Sequence, residues 1–298
     1  MHTAESQSDQ QPIANDTQVQ KNTKQRPAIF RALGKKQPPD ELTVGGQIYQ
    51  LVKVLKHDSW AATALYENSD EQIICKFQRQ QSVLFLPMKW FGCLLAGHEN
   101  SLYERLDGLG NIPRNLGRVY VDGKEWRNVV AHHYVPGHPL GETEQVSDEF
   151  FPTLESFLKE MHSRGVAYVD LHKRENILVG DDGQPYLIDF QISYAHPRWW
   201  PMSMLFGWLL HMLQSSDLYH LRKNFARCRP DLCGHTWREM GPYRPWYIRL
   251  HRCVGVPFRT LRRRLLVLLG IRSGLGLAHS EQFTEEGLRT NEEPKKAA

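Results

Sequence analysis

The period of the apolar positions changes several times along the chain, and each change marks an element. After Gly45-Gly46, three runs rich in β-branched and aromatic residues follow one another: IYQLVKVL, SWAATALY and EQIICKFQ. His57-Asp58 and Glu67-Asn68-Ser69-Asp70 separate them, a pattern that predicts consecutive antiparallel strands. From Trp90 to Leu106, the residues Phe91, Leu94, Leu95, Leu102 and Leu106 recur at roughly helical spacing, and Gly108 to Pro113 supplies a stop. A helix is therefore expected after the third strand. GRVYV and RNVVAHHYV are again strand-like, and Asp122-Gly123 between them is a hairpin signal.

The block closes at Pro136-Gly137, and beyond it the pattern is different. Phe150, Leu154, Leu158 and Met161 define one face of a helix ending near Gly165. Short strands are expected around Asp170 to Asp189, with Asp182-Gly183 as their turn, and the remainder is mainly helical. No repeat of solenoid or propeller length recurs. Residues 1–40 are rich in Gln, Asn, Asp, Ser and Thr and cannot bury enough apolar surface to offset ordering entropy, which predicts a disordered tail. The reading is an α+β chain in two lobes. Residues 41–136 form a small antiparallel sheet with one helix, 137–280 a mainly helical lobe, and 281–298 a flexible tail.

Composition narrows this modestly. With 298 residues, 41% of them hydrophobic and 23% charged, the chain can bury a sizeable core and has room for two lobes. A formal charge of +4 is too small to argue for nucleic acid, and none is expected as a partner. Five widely spaced cysteines do not make a disulfide framework, so a reducing compartment is the default. Cys228, Cys233 and His235 fit no zinc spacing and read as scattered thiols and a surface imidazole. The start MHTAESQSDQ has neither a basic nor an apolar run, and a cytoplasmic location is expected.

Trp199 to Leu213, the longest apolar stretch, contains Pro201 and His211 and is about five residues short of a comfortable membrane span. It reads either as a core helix of the second lobe or as a segment at a membrane interface. PFRTLRRRLLVLLG reads either as an amphipathic surface helix of that lobe or as a peripheral contact with anionic lipid on the inner face of the membrane.

Candidate chemistry gathers at five positions. Lys76 ends the apolar strand IICKF, from which an ammonium can point into a cleft and hold phosphates. Glu99 on the following helix can orient it by an ion pair, with Glu104 as the rival. Further on, GVAYVDLHKRENILVGDDGQPYLIDF resembles the catalytic and metal-binding segment of the protein-kinase-like superfamily, and the resemblance extends more weakly from Tyr49 to Ser193. It implies a two-lobed kinase fold using ATP and Mg2+. Asp170 is then the base or orienting carboxylate, Asn176 a magnesium ligand with Glu175 in reserve, and Asp189 the principal magnesium ligand. Lys173 could reach the transferring phosphate. The adenine would lie against a hinge at Ala131, His133 and Val135. Thirteen residues separate Asn176 from Asp189, the separation expected in that family.

The departures point to an atypical member. The stretch Leu55 to Ala62, where a glycine-rich loop belongs, holds no glycine, and Tyr168-Val169 replaces the usual His-Arg pair. One extra residue separates Asp170 from Asn176, Gln191 follows Asp189-Phe190, and no Ala-Pro-Glu segment follows. The pattern is similar to the lipopolysaccharide core sugar kinases (the Kdo and heptose kinase family), the RIO-type kinases and the aminoglycoside phosphotransferases. The expected activity is γ-phosphate transfer to a hydroxyl. A glycolipid sugar is slightly ahead of a protein Ser/Thr as acceptor, and a nucleotide-binding pseudokinase is the non-enzymatic alternative.

Overall fold

A computed structural model describes residues 27–83 and 86–268. The expectations for residues 1–26 and for the carboxy-terminal tail lie outside the described residues. The chain is α+β, a curled antiparallel sheet followed by a helical region.

Strand β1 (Glu41–Val44) and β2 (Gln47–His57) form a hairpin through Gly45-Gly46, both at positive φ, 58° and 83°, as a two-residue hairpin turn requires. Four residues are too few to show a period, and β1 adds a strand that the hydrophobic pattern did not reveal. β3 (Ala61–Glu67), β4 (Gln72–Gln78), β5 (Val119–Val121), β6 (Lys124–Glu125) and β7 (Val129–His133) complete a seven-stranded sheet in the order β6-β5-β1-β2-β3-β4-β7. Helix α1 (Lys89–Arg105) follows β4 and packs across β4 and β7. Between β2 and β3 the register shifts at Leu51/Lys53 and again at Val54/Lys56, irregularities that bend a strand and increase its twist. Gly92 of α1 sits over β4's end so closely that a Cβ would lie 2.2 Å from the Arg79 carbonyl oxygen, which explains a glycine inside this helix.

Residues 28–40, grouped with the tail on composition, pack against this sheet. Ala32 and Leu33 are buried, the Ala32 N–H donates to Asp58 O at 2.7 Å, and its carbonyl accepts from Gln80 and Gln81. Two small apolar residues between polar runs carry too little periodic signal to be read as an anchor, and backbone hydrogen bonding holds them.

After β8 (Gly137–Pro139) comes α2 (Phe150–Ser163), whose Phe150, Leu154, Leu158 and Met161 are buried as the spacing predicts. Short strands β9 (Val166–Ala167), β10 (Ile177–Gly180), β11 (Pro185–Leu187) and β12 (Tyr194–Ala195) follow, pairing as β11-β10-β8 and β12-β9. The chain then enters α3 (Met202–Cys228), the single turn α4 (Pro230–Cys233) and α5 (Trp246–Leu268). One core cluster lies within the sheet around Tyr66, Phe77 and Ala131. A second joins α1 and α2 to the short strands and the second half of α3 around Leu102, Phe151 and Leu221, and Leu55, Leu65 and Ile74 make a small third. Among the described residues no helix is long and apolar enough to cross a membrane.

Candidate functional site

The β4 strand carries Lys76 on the face away from the sheet's inner core, because Cys75 and Phe77 on either side point into that core. Lys76 Nζ donates to both carboxylate oxygens of Glu99 at 3.1 Å and to Asp189 Oδ1 at 2.7 Å. Gln78, on the same face two residues later, donates its Nε2 to Glu99 Oε2 at 3.0 Å. Glu99 is 1% exposed, whereas Glu104 is solvent-exposed and faces elsewhere, so the ion-pair partner is Glu99.

Burial disfavours the Lys76 ammonium, but Asp189 and Glu99 outweigh it and hold its pKa above the ordinary lysine value. For Asp189, burial acts upward, and Lys76, Lys173 and the Gln191 N–H together outweigh it, leaving its carboxyl below the usual range. Burial pushes Glu99 upward, with Lys76 opposing. Two carboxylates thus share one ammonium, and the cluster favours a further cation.

A second polar cluster surrounds Asp170. Its Oδ2 accepts from Lys173 Nζ at 2.6 Å and from Asn176 Nδ2 at 3.0 Å. Its Oδ1 is buried and accepts no hydrogen bond, with the His172 ring nitrogen Nδ1 3.3 Å away. The extra residue between Asp170 and Asn176 is absorbed by a 3-10 turn over Arg174–Asn176. Asn176 is buried beside Asp170, while Glu175 is only half-buried. The β10–β11 hairpin pairs Ile177 with Leu187, and Ile188 N–H donates to Asn176 O at 3.2 Å. Thirteen residues of sequence thereby return Asp189 to the end of the hairpin where Asn176 starts.

Helix α3 holds this loop from behind. The buried Asp217 accepts Tyr168 N–H through Oδ2 at 2.7 Å and Val169 N–H through Oδ1 at 2.8 Å, and Oδ2 also bonds His162 Nε2 at 3.1 Å. Burial pushes the Asp217 carboxyl up, while His162 and the two backbone donors act against it. Two turns later, Asn224 Nδ2 donates to Leu171 O at 3.0 Å. Val169 has φ 70° and Asp189 φ 63°, left-handed conformations that are costly for side chains other than glycine, above all the β-branched Val169. The hydrogen bonds to Asp217 hold Val169 there. Phe190, after Asp189, stacks edge-on against both Tyr103 of α1 and Tyr168, with centroids 5.2 Å away in each case.

A cleft opens between the Lys76 cluster and the sheet, lined by Lys56, Asp58, Trp60, Thr63, Lys76, Glu99, His132, Asp189 and Gln191 among others, while Asp170, Lys173 and Asn176 do not line it. A scan against protein-family models and a search of the curated proteins each returned no match to this chain. The site's chemistry therefore rests on its geometry.

Of the expected hinge residues, Ala131 and His133 lie on the face of β7 away from the cleft, and Val135 lies beyond its end. Ala131 belongs to the inner core of the sheet, and His133 Nδ1 lies 2.8 Å from Glu71 Oε2. His132 is the β7 side chain that reaches the cleft, because strand side chains alternate. Burial lowers its pKa to about 4, so the imidazole is neutral beside Lys76. The sequence reading took the alternate residues Ala131 and His133, and the side chain at the cleft is on the opposite face.

The glycine-free turn between β2 and β3 is shaped by side chains instead. Asp58 Oδ1 accepts the N–H groups of Trp60 and Ala61 at 2.7 and 2.9 Å. His57 bonds Arg31 at 3.0 Å and Leu33 N–H at 3.2 Å, and Arg79 donates to Ser59 O and, at 2.8 Å, to Ile29 O. Gln78, His132, Asp217 and Asn224 are the site residues that sequence reasoning missed. A buried Asp in mid-helix was the available signal for Asp217, though burial itself is a tertiary property.

The oxygen donors suit magnesium. Among the described residues no group of three or more His, Cys, Asp or Glu gathers to hold a metal. Asp189, whose side chain is 40% exposed, and the Asn176 amide offer hard oxygen ligands of the kind magnesium takes while keeping ligands from water or phosphate. The buried, unbonded Asp170 Oδ1 adds acceptor capacity beside them.

Proposed function

We propose that this chain is an ATP-dependent phosphotransferase of the protein-kinase-like superfamily, acting on a hydroxyl acceptor. The observation that carries the reading is the Lys76 ammonium bridging Glu99 and Asp189 at one end of a cleft, beside a loop in which Asp170, Lys173 and Asn176 are hydrogen-bonded together. Phosphoryl transfer needs positioning and charge neutralisation more than covalent chemistry, and these groups supply both.

On this reading Lys76 meets the nucleotide phosphates, its charge held by Glu99. Neutral His132 presents no competing cation at the cleft wall. Backbone groups along 131–135 face the purine. Asp170, oriented by Asn176 and Lys173, accepts the hydrogen bond of the acceptor hydroxyl and aligns its oxygen. Lys173 can swing from Asp170 toward the phosphate in flight. Asp189 and Asn176 would hold magnesium, which would neutralise developing phosphate charge.

A glycolipid sugar is the favoured acceptor over a protein Ser/Thr. The departures from ordinary protein kinases after Asp189, and an apolar, Arg-rich surface on the helical region, support it. A location on the cytoplasmic side of the membrane belongs to the same proposal. The test is transfer of labelled γ-phosphate from Mg-ATP by wild type and Asp189→Ala, with extracted lipopolysaccharide and a generic protein offered in parallel. Label on lipopolysaccharide with wild type alone is the expected result. Label on protein alone makes the chain a Ser/Thr kinase, and bound nucleotide without transfer to either acceptor overturns the transferase reading.

A further inference from the structure

Helix α3 changes character along its length. From Asp217 onward its inner face is buried, as at Asp217, Leu221, Asn224 and Cys228, but none of residues 202–216 is buried although they read MSMLFGWLLHMLQSS. Trp200, Met204 and Trp208 are 78%, 79% and 66% exposed, and Trp199 and Leu205 are exposed beside them. This half is only partly covered, and Met204, Leu205 and Trp208 stand exposed beside Trp199 and Trp200, an apolar and aromatic patch of the kind that marks an interaction site.

Helix α5 supplies a second such surface. At about 100° per residue, Trp246, Leu250, Leu261, Leu265 and Leu268 fall within an arc of roughly 100°, and all five are exposed. Arg249 and Arg262, both exposed, lie outside that arc, and Arg264, also exposed, lies at its edge on the line of Trp246. Arg244, just before α5, donates Nε to Tyr219 OH of α3 at 3.3 Å, which joins the start of α5 to the middle of α3. The charge is segregated as well. Between Glu239 and Glu281 the chain has no Asp or Glu, yet it has Arg at 244, 249, 252, 259, 262, 263, 264 and 272.

We propose that the first half of α3 and the length of α5 form a peripheral docking surface for an anionic lipid bilayer. Trp prefers the headgroup boundary, where its ring is buried and its N–H is wet, and an amphipathic helix with Arg on its polar side lies in that plane. Unbroken positive charge over about forty residues complements an anionic leaflet and is poorly suited to a second copy of itself. Among the described residues no helix is long and apolar enough to cross a membrane, and the contact proposed is peripheral. The inference does not rest on the phosphotransfer reading and survives its failure.

The test is flotation of the full chain with vesicles of phosphatidylcholine alone or mixed with phosphatidylglycerol, beside light scattering of the lipid-free protein. Wild type is expected to float with the mixed vesicles only, and to be released by salt, which screens the attraction. Trp208→Ser with Trp246→Ser should lower partitioning about tenfold. Arg262→Glu with Arg264→Glu should abolish the preference for anionic lipid. All four positions are exposed, so thermal unfolding of the variants should match wild type and separate lost docking from lost folding. Failure to float with anionic vesicles overturns the proposal, as does equal flotation of wild type and both variants. A concentration-dependent dimer dissolved by the Trp substitutions also overturns it, assigning the face to a second copy.

Discussion

Lys76 and Asp189 are 113 residues apart in sequence and meet at 2.7 Å, joining the sheet to the hairpin of the helical region. Lys76 also neutralises Glu99, which is 1% exposed. Lys76→Met removes the one cation bonded to that buried carboxylate among the described residues and should cost about 3–5 kcal/mol, the usual result of breaking one side of a buried pair. Glu99→Gln removes the charge and should cost less. Urea unfolding of the two variants checks the order.

Asp170 accepts from Lys173 and Asn176 through Oδ2, and its buried Oδ1 has only the His172 ring nitrogen as a close polar neighbour, at 3.3 Å. Asp170→Asn keeps the shape and loses the charge. Turnover should fall roughly 10²- to 10⁴-fold, the range for removing a positioned acid-base group, while nucleotide affinity stays near wild type. Single-turnover transfer and fluorescent-nucleotide titration read the two quantities separately. Unchanged turnover would remove Asp170 from the mechanism.

Asp217 touches no part of the cleft, yet it accepts the N–H groups of Tyr168 and Val169 immediately before Asp170. Asp217→Ala strands two buried donors and should destabilise the fold by about 2–4 kcal/mol. Asp217→Asn keeps one acceptor oxygen and should cost about half as much. At temperatures where the Asn variant is fully folded, its kcat should drop with little change in the KM for ATP. A positioning role gives that split, and a purely structural one leaves kcat unmoved.

Acid should weaken the fold through two histidines. Burial lowers His132, and burial together with Arg31 lowers His57, each from 6.5 to about 4. Both stay neutral in the folded chain while the unfolded chain takes up protons. Their contribution is complete above pH 6.5 and is lost as the pH falls from there toward 4, at about 1.4 kcal/mol per pH unit for each proton difference. Thermal unfolding of wild type and His132→Gln across that interval should show a shallower pH dependence in the variant.

Local pattern was enough for most of the elements. Runs such as EQIICKFQ and the 3.6-residue spacing of Phe150, Leu154, Leu158 and Met161 encode their structures within a few residues, and β4 and α2 follow them closely. β1 escaped because four residues hold no period, and the anchoring of Ala32 and Leu33 escaped because backbone hydrogen bonds to Asp58, Gln80 and Gln81 leave no mark on composition.

By itself the sequence determined which chemical groups the chain carries, their order, and the hairpin that returns Asp189 toward Asn176, because a turn at Asp182-Gly183 is a short-range decision. Tertiary structure alone decided which of those groups meet. It chose Glu99 over Glu104 for Lys76, turned His132 rather than His133 to the cleft, and brought Asp217 behind the Asp170 loop. Each choice depends on which face of an element is buried against a partner dozens of residues away, and packing and desolvation, which act through space, set that face.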